Sequence, residues 1–171
     1  MASVGWMCLL LAIPAYGAGW FSFSSTEGGY QILFPQKPQK QTAVHKSIVG
    51  DIGENTYSAP GGTGTEYSVE YSNLPGIAVT FGGDGGIMDK AKKGLLQDCQ
   101  GQEQSFSDTS LQGFPGKELE YRFTGGDGKT QYGKARFYMV KKRLFVLVAT
   151  SPKPNPSNWG KFFNSFTLVN P

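Results

Sequence analysis

The stretch ELEYRFTGGDGKTQYGKAR, from Glu118 to Arg136, admits two readings, and the choice between them decides the fold. Gly128-Lys129-Thr130 spells the tail of a phosphate-binding loop. A GxxxxGK[ST] loop would need glycine at position 123, which is Phe123. It would also need a helix directly afterwards, whose first amides hold the phosphates. Residues 131–140 alternate like a strand instead.

The competing reading is a hairpin. A loop of Gly126-Asp127-Gly128 sets Glu120 opposite Lys134 and Glu118 opposite Arg136 on one face. The same register sets Leu119 opposite Ala135 and Tyr121 opposite Gly133 on the other. A slip of one residue would mix the faces. Gly128 fits the left-handed position that follows a type I turn in such loops. The register also argues against Glu118 and Glu120 as a catalytic acid pair. Residues alternate along a strand face at about 6.5–7 Å, the lower edge of the inverting-glycosidase spacing. Cations opposite both carboxylates would keep them ionised, whereas a general acid needs a raised pKa.

Other segments share the strand period. Tyr67, Val69 and Tyr71 fall on one face of residues 66–72, with Ser68, Glu70 and Ser72 on the other. Residues 20–25 and 30–34 read as an opening pair closed by Pro35. Residues 39–49 and 55–59 are weaker candidates around a turn-like Gly50-Asp51-Ile52-Gly53. Leu144 to Ala149 is apolar throughout, as expected of a strand covered on both faces. Helix is expected over residues 87–98, with Ile87, Met88, Ala91 and Leu95 on one side and Gly101 as the stop. A second helix is expected after Asn155 as cap and Pro156 in the first turn. Trp159, Phe162, Phe163 and Phe166 form its apolar stripe. The fold class expected is α+β, an antiparallel sheet sandwiched between helices.

The N-terminus reads as a secretory signal over residues 1–18. Its apolar run from Val4 to Ile13 is followed by Pro14 and the small residues Ala15, Gly17 and Ala18. That run falls well short of the about 20 residues needed to span a bilayer. Residues 19–171 are then one domain, exported to periplasm or extracellular space. Removal of Cys8 leaves Cys99 alone, so no internal disulfide is expected. A net charge of +3 is too weak for a nucleic-acid partner.

The remaining chemical candidates are thin. Gly82-Gly83-Asp84-Gly85-Gly86 reads as a flexible connection before the helix; its Asp would repel phosphate, and Met88 breaks the GxGxxG pattern. Asp84 and Asp89 supply too few oxygens for calcium. His45 is the only histidine, so no zinc site with close ligand spacing is visible. A Cys99–His45 nucleophile pair depends on the two meeting in the fold. No metal or other cofactor is expected. Lys141, Lys142 and Arg143 cap the turn between Val140 and Leu144. They are the candidate contact with an acidic partner or an anionic lipid surface.

Leu111-Gln-Gly113-Phe-Pro115-Gly116-Lys-Glu118 resembles the LxGxPGxE step of the PsbP-like and DcrB-like exported domains. Phe34-Pro35 is similar to their opening-strand exit, and Phe162-Phe163-Asn-Ser165-Phe166-Thr-Leu168 to their FxxSFxL ending. The resemblance implies an antiparallel sheet between helices and a mostly non-enzymatic family that includes a lumenal photosystem subunit and a bacterial envelope protein. The function expected is a monomeric, non-catalytic binding or assembly domain. Its partner would be another envelope or lumenal protein, or a peripherally contacted membrane. A domain with an apolar small-ligand pocket and a small Cys/His hydrolase are the alternatives.

Overall fold

The computed structural model describes residues 19–47 and 50–171; the signal-peptide reading lies outside them. The stretch that opened two readings is a hairpin. β7 (Phe114–Thr124) and β8 (Thr130–Val140) pair antiparallel with Glu120 opposite Lys134, Glu118 opposite Arg136 and Tyr121 opposite Gly133. The Gly128 amide donates to the Gly125 carbonyl at 2.9 Å, and Gly128 takes φ +76°. Asp127 Oδ1 accepts from the Lys129 amide at 3.0 Å, which turns that amide inward on the loop. Gly133 matters for packing: a Cβ there would run into the Tyr121 ring lying across it.

Around this hairpin a seven-stranded antiparallel sheet is built in the order β3-β4-β5-β9-β8-β7-β6. Its other strands are β3 (Gln39–Ser47), β4 (Gly50–Pro60), β5 (Glu66–Asn73), β6 (Gln102–Leu111) and β9 (Arg143–Ser151). A smaller sheet, in the order β1-β2-β10, joins β1 (Phe21–Ser25), β2 (Tyr30–Phe34) and β10 (Thr167–Leu168). The period of two sorts the core. Tyr67, Val69, Tyr71, Phe145, Leu147 and Ala149 pack with β2 and the C-terminal aromatics on one face. Leu119, Ala135, Phe137, Met139, Leu144 and Val146 pack under α1 (Gly76–Cys99) on the other. β9 contributes to both clusters, as its unbroken apolar sequence implied.

The architecture is α+β, with α1 on one face of the large sheet and, on the other, a short α2 (Asn158–Asn164) that covers only part of it. This second helix has 7 residues; at 1.5 Å per residue it is about 10 Å long, against about 29 Å for seven strands side by side. The small sheet supplies the remaining cover, and the predicted stripe Trp159, Phe162, Phe163 and Phe166 is buried beneath it.

Four local readings need correction. The glycine-rich segment is no connection: α1 starts at Gly76 and breaks its helical geometry only at Gly83, with φ 61° and ψ 162°. Val79 before the break and Ile87 and Met88 after it dock on the sheet, so tertiary packing outweighs the poor helix propensity of glycine. The helix ends with Gln100 rather than Gly101 in the left-handed conformation (φ 51°), and the Gly101 amide closes onto Leu96 O at 2.8 Å. α2 is preceded by Ser157, while Asn155 sits at φ 46° outside the helix. Finally, Gly50 to Gly53 lie within β4, where Ile52 pairs with His45 and Gly50 with Ser47.

Candidate functional site

The two-residue turn joining β8 to β9 is Lys141-Lys142, flanked by the paired Val140 and Arg143. Lys141 takes φ 56° there. The turn is anchored rather than loose. Arg143 Nε donates to Asn73 Oδ1 at 2.7 Å, and its Nη1 donates to the carbonyls of Gly28 at 2.5 Å and Glu27 at 3.2 Å. The guanidinium lies 5.2 Å from the Tyr71 ring centre and 6.0 Å from that of Phe145. One side chain therefore pins the β8–β9 tip to the β1–β2 turn and to the end of β5. Such multiple bonding suits the planar fork of arginine.

The pinning leaves a cleft of about 290 Å³ beside the tip. Its apolar lining comes from Val140, Phe145 and Leu168, with Lys141 and Lys142 at the rim. Gly28 and Gly29 form one wall and the tail from Val169 to Pro171 another. The tail is held in place: the Val169 amide donates to Gly29 O at 2.8 Å. Gln112 Oε1 accepts from the Leu168 amide at 2.7 Å, and its Nε2 donates to Leu168 O at 3.3 Å. Gln112 sits at φ 49° and Gly113 at φ 86° in the tight β6–β7 turn. The LxGxPGxE step thus props the wall of this cleft. Gly116 in the same step carries no Cβ because the Tyr138 ring occupies that space.

The electrostatics at this end are positive. Lys141 and Lys142 are exposed. The Lys142 ammonium lies against Gly76, and the Lys142 carbonyl accepts from the Leu74 amide at 2.8 Å. α1 begins there with no side-chain cap and no acidic residue in its first turn, so the positive end of its dipole adds to the lysine charge. Glu27, the nearest carboxylate on the β1–β2 turn, is engaged elsewhere. A hydrogen bond from Lys40 at 2.9 Å holds its carboxyl below the usual range. Of the cations predicted to meet a partner, Lys141 and Lys142 face outward, whereas Arg143 is part of the scaffold.

The catalytic candidates are not assembled. His45 lies on β3 and Cys99 packs near Tyr121 of β7. These strands are five places apart in the sheet, about 24 Å at the usual interstrand spacing. Burial pushes the Cys99 thiol up, away from the reactive thiolate. Glu118 meets Arg136 Nε at 2.6 Å and Lys134 at 3.4 Å, and Glu120 meets Lys134 at 2.9 Å. Burial alone would raise the Glu118 carboxyl, but Arg136 and Lys134 bring it below its ordinary value. Asp84 and Asp89 are exposed on α1, and among the described residues no group of three or more metal-ligating side chains converges.

Sequence reasoning missed two features. The first is the cleft itself, whose walls come from four chain segments around Gly28, Asn73, Lys141 and Val169. The second is a carboxylate cluster on the α1 side of the sheet. Glu70 of β5 lies opposite Thr56 of β4, Thr56 Oγ1 donates to Glu54 at 3.2 Å, and His45 Nε2 meets Glu54 at 2.7 Å. Burial first, then the Glu54 charge, push the Glu70 carboxyl up to about 7. Glu70 stands on the polar face of an alternating strand, so its burial could be read only once β5 was known to be internal.

No family model and no curated protein matches this chain. Among solved structures, cyanobacterial PsbP from Synechocystis is similar at a TM-score of 0.59 and 17% identity, over 89% of this chain and 94% of that one. A Pseudomonas aeruginosa protein of unknown function, PA94, is looser, with a TM-score of 0.38 and 14% identity over 65% and 83% of the two chains. Among the described residues no helix is long and apolar enough to cross a membrane. With the PsbP match running over nearly the whole length of both chains, the chain has a PsbP-like fold.

Proposed function

We propose that this chain is an exported, non-catalytic binding or assembly domain that docks on another envelope component through the β8–β9 tip. The observation that carries this reading is the division of labour at the tip. Arg143 is consumed in fixing the turn, which leaves Lys141 and Lys142 displayed on a rigid base beside an apolar cleft. Exposed cations on a fixed scaffold favour encounter with an acidic surface and set its orientation. The separation of Cys99 from His45 and the ion pairing of Glu118 support the non-catalytic part of the reading. Export rests on the sequence of residues 1–18.

Co-sedimentation of the purified domain with isolated native envelopes tests this. Retention should fall as salt rises from low to physiological strength, where the Debye length shrinks to about 8 Å. The double variant Lys141→Glu/Lys142→Glu should be retained poorly even at low salt. Retention that ignores both salt and the double variant would remove the tip from the account.

A further inference from the structure

The cleft beside the tip narrows the choice of partner. An anionic membrane and an acidic protein segment would both be drawn to Lys141 and Lys142, but they differ in shape. Peripheral insertion into a bilayer needs apolar side chains that project outward beyond the charges. Here, Val169 apart, the order is reversed: the lysines are exposed, and Val140, Phe145 and Leu168 are buried. A recess of about 290 Å³ falls at the lower end of small-molecule pockets, which run from about 300 Å³ upward. That is room for one large apolar side chain with its neighbouring backbone, delivered by something that protrudes. Val169, on the wall formed by the C-terminal tail, is 38% exposed and adds apolar surface to the lining.

Charge sets the second requirement. Lys141 and Lys142 are exposed at the rim, the Lys142 ammonium stands at the uncapped start of α1, and Glu27 is bonded to Lys40. Among the described residues neither Lys141 nor Lys142 forms an ion pair, although Pro171 lies on the wall of the same cleft. A carboxylate one or two residues from the inserted side chain would meet them.

We propose that the cleft receives a protruding protein segment in which a large apolar residue sits next to an aspartate or glutamate: the apolar side chain enters between Phe145 and Val169, and the carboxylate pairs with Lys141 and Lys142. This rests on the tip-docking reading above and specifies its partner as a polypeptide. Both walls are tied down, by Arg143 to Asn73 and Gly28 and by Gln112 to Leu168, so binding requires little reorganisation and the ordering cost stays small.

The probe is a random heptapeptide library displayed on phage, selected against the immobilised domain, together with vesicles of phosphatidylcholine containing phosphatidylglycerol. The expected result is enrichment of peptides that join Leu, Ile, Met or Phe to Asp or Glu. Synthetic versions of these should bind about tenfold more weakly to Lys141→Glu/Lys142→Glu, equivalent to about 1.4 kcal/mol. A second variant, Val169→Trp, leaves the lysines intact and fills the mouth; it should abolish selection while melting like the parent. Overturning results are absence of enrichment, enriched peptides without an acidic residue, or enrichment indifferent to both variants. Tip-dependent binding to the anionic vesicles with no peptide selected would overturn the polypeptide partner and leave the tip-docking reading standing. Tip-independent co-sedimentation with native envelopes would instead remove that reading.

Discussion

Arg143 carries more structural consequence than its place in a run of three cations indicates. Its guanidinium satisfies Asn73 and two carbonyls of the β1–β2 turn while lying over Tyr71. Arg143→Ala should therefore lower stability by about 2 kcal/mol, since hydrogen bonds to charged groups contribute about 1.5–3 kcal/mol each where they are not replaced by water. Arg143→Lys should recover little, because a point charge cannot hold Asn73 and Gly28 together. Lys141→Ala and Lys142→Ala should each stay within about 0.5 kcal/mol of the parent, as exposed residues usually do. Urea midpoints at constant slope measure all four variants. Equal losses across the three positions would refute the division between scaffold and contact. The sequence made the cations visible as a group. It could not separate them, because the partners of Arg143 lie 70 and 115 positions away along the chain.

Neighbouring strands create the second property, which no strand has alone. Glu70 becomes hard to ionise first because the sheet desolvates it and then because β4 brings the Glu54 charge beside it, with His45 of β3 opposing the effect and the Asp98 charge of α1 adding to it. Below the ordinary carboxylate range Glu70 is protonated in both folded and unfolded chains, and the difference vanishes. As pH climbs toward about 7 the unfolded chain loses the proton first, so stability declines, and above that value the whole penalty stands. Glu70→Gln should raise stability at pH 8 by about 3 kcal/mol and leave it nearly unchanged at pH 4, since the carboxyl moves from its ordinary 4.5 to about 7 and each tenfold in acidity is about 1.4 kcal/mol. Thermal melts of both proteins across that range decide it; an equal gain at pH 4 and pH 8 would show that packing, not ionisation, is responsible. Elements whose own residues carry the period were legible: β5, β9 and the β7–β8 register follow from alternation and charge. β6 was not, because Gln102 to Leu111 carries only Phe106 and Leu111 as apolar residues and owes its place at the sheet edge to pairing with β7. The glycine run was misjudged for a related reason, since docking on both sides of Gly83 is a tertiary effect.

At the level of the whole molecule, two apolar clusters on opposite faces of one sheet fix the architecture, and β9 belongs to both. Its first residue is Arg143 and its last is Ser151, so the strand that organises the core begins at the residue that anchors the proposed contact. A rigid tip is the result, and rigidity at a binding surface limits the entropy lost on docking. Fold class was readable from periodicity, whereas the cleft required the closure of β1–β2, the hairpin tip and the C-terminal tail on one another. The central claim is that this end of the sheet, and not the other, meets the partner. A photoreactive benzophenone side chain placed at position 142, and separately at Thr63 in the exposed loop at the far end of β5, tests it in native envelopes. The account predicts a crosslinked polypeptide from position 142 and none from position 63; adducts from position 63 with a silent position 142 would contradict it.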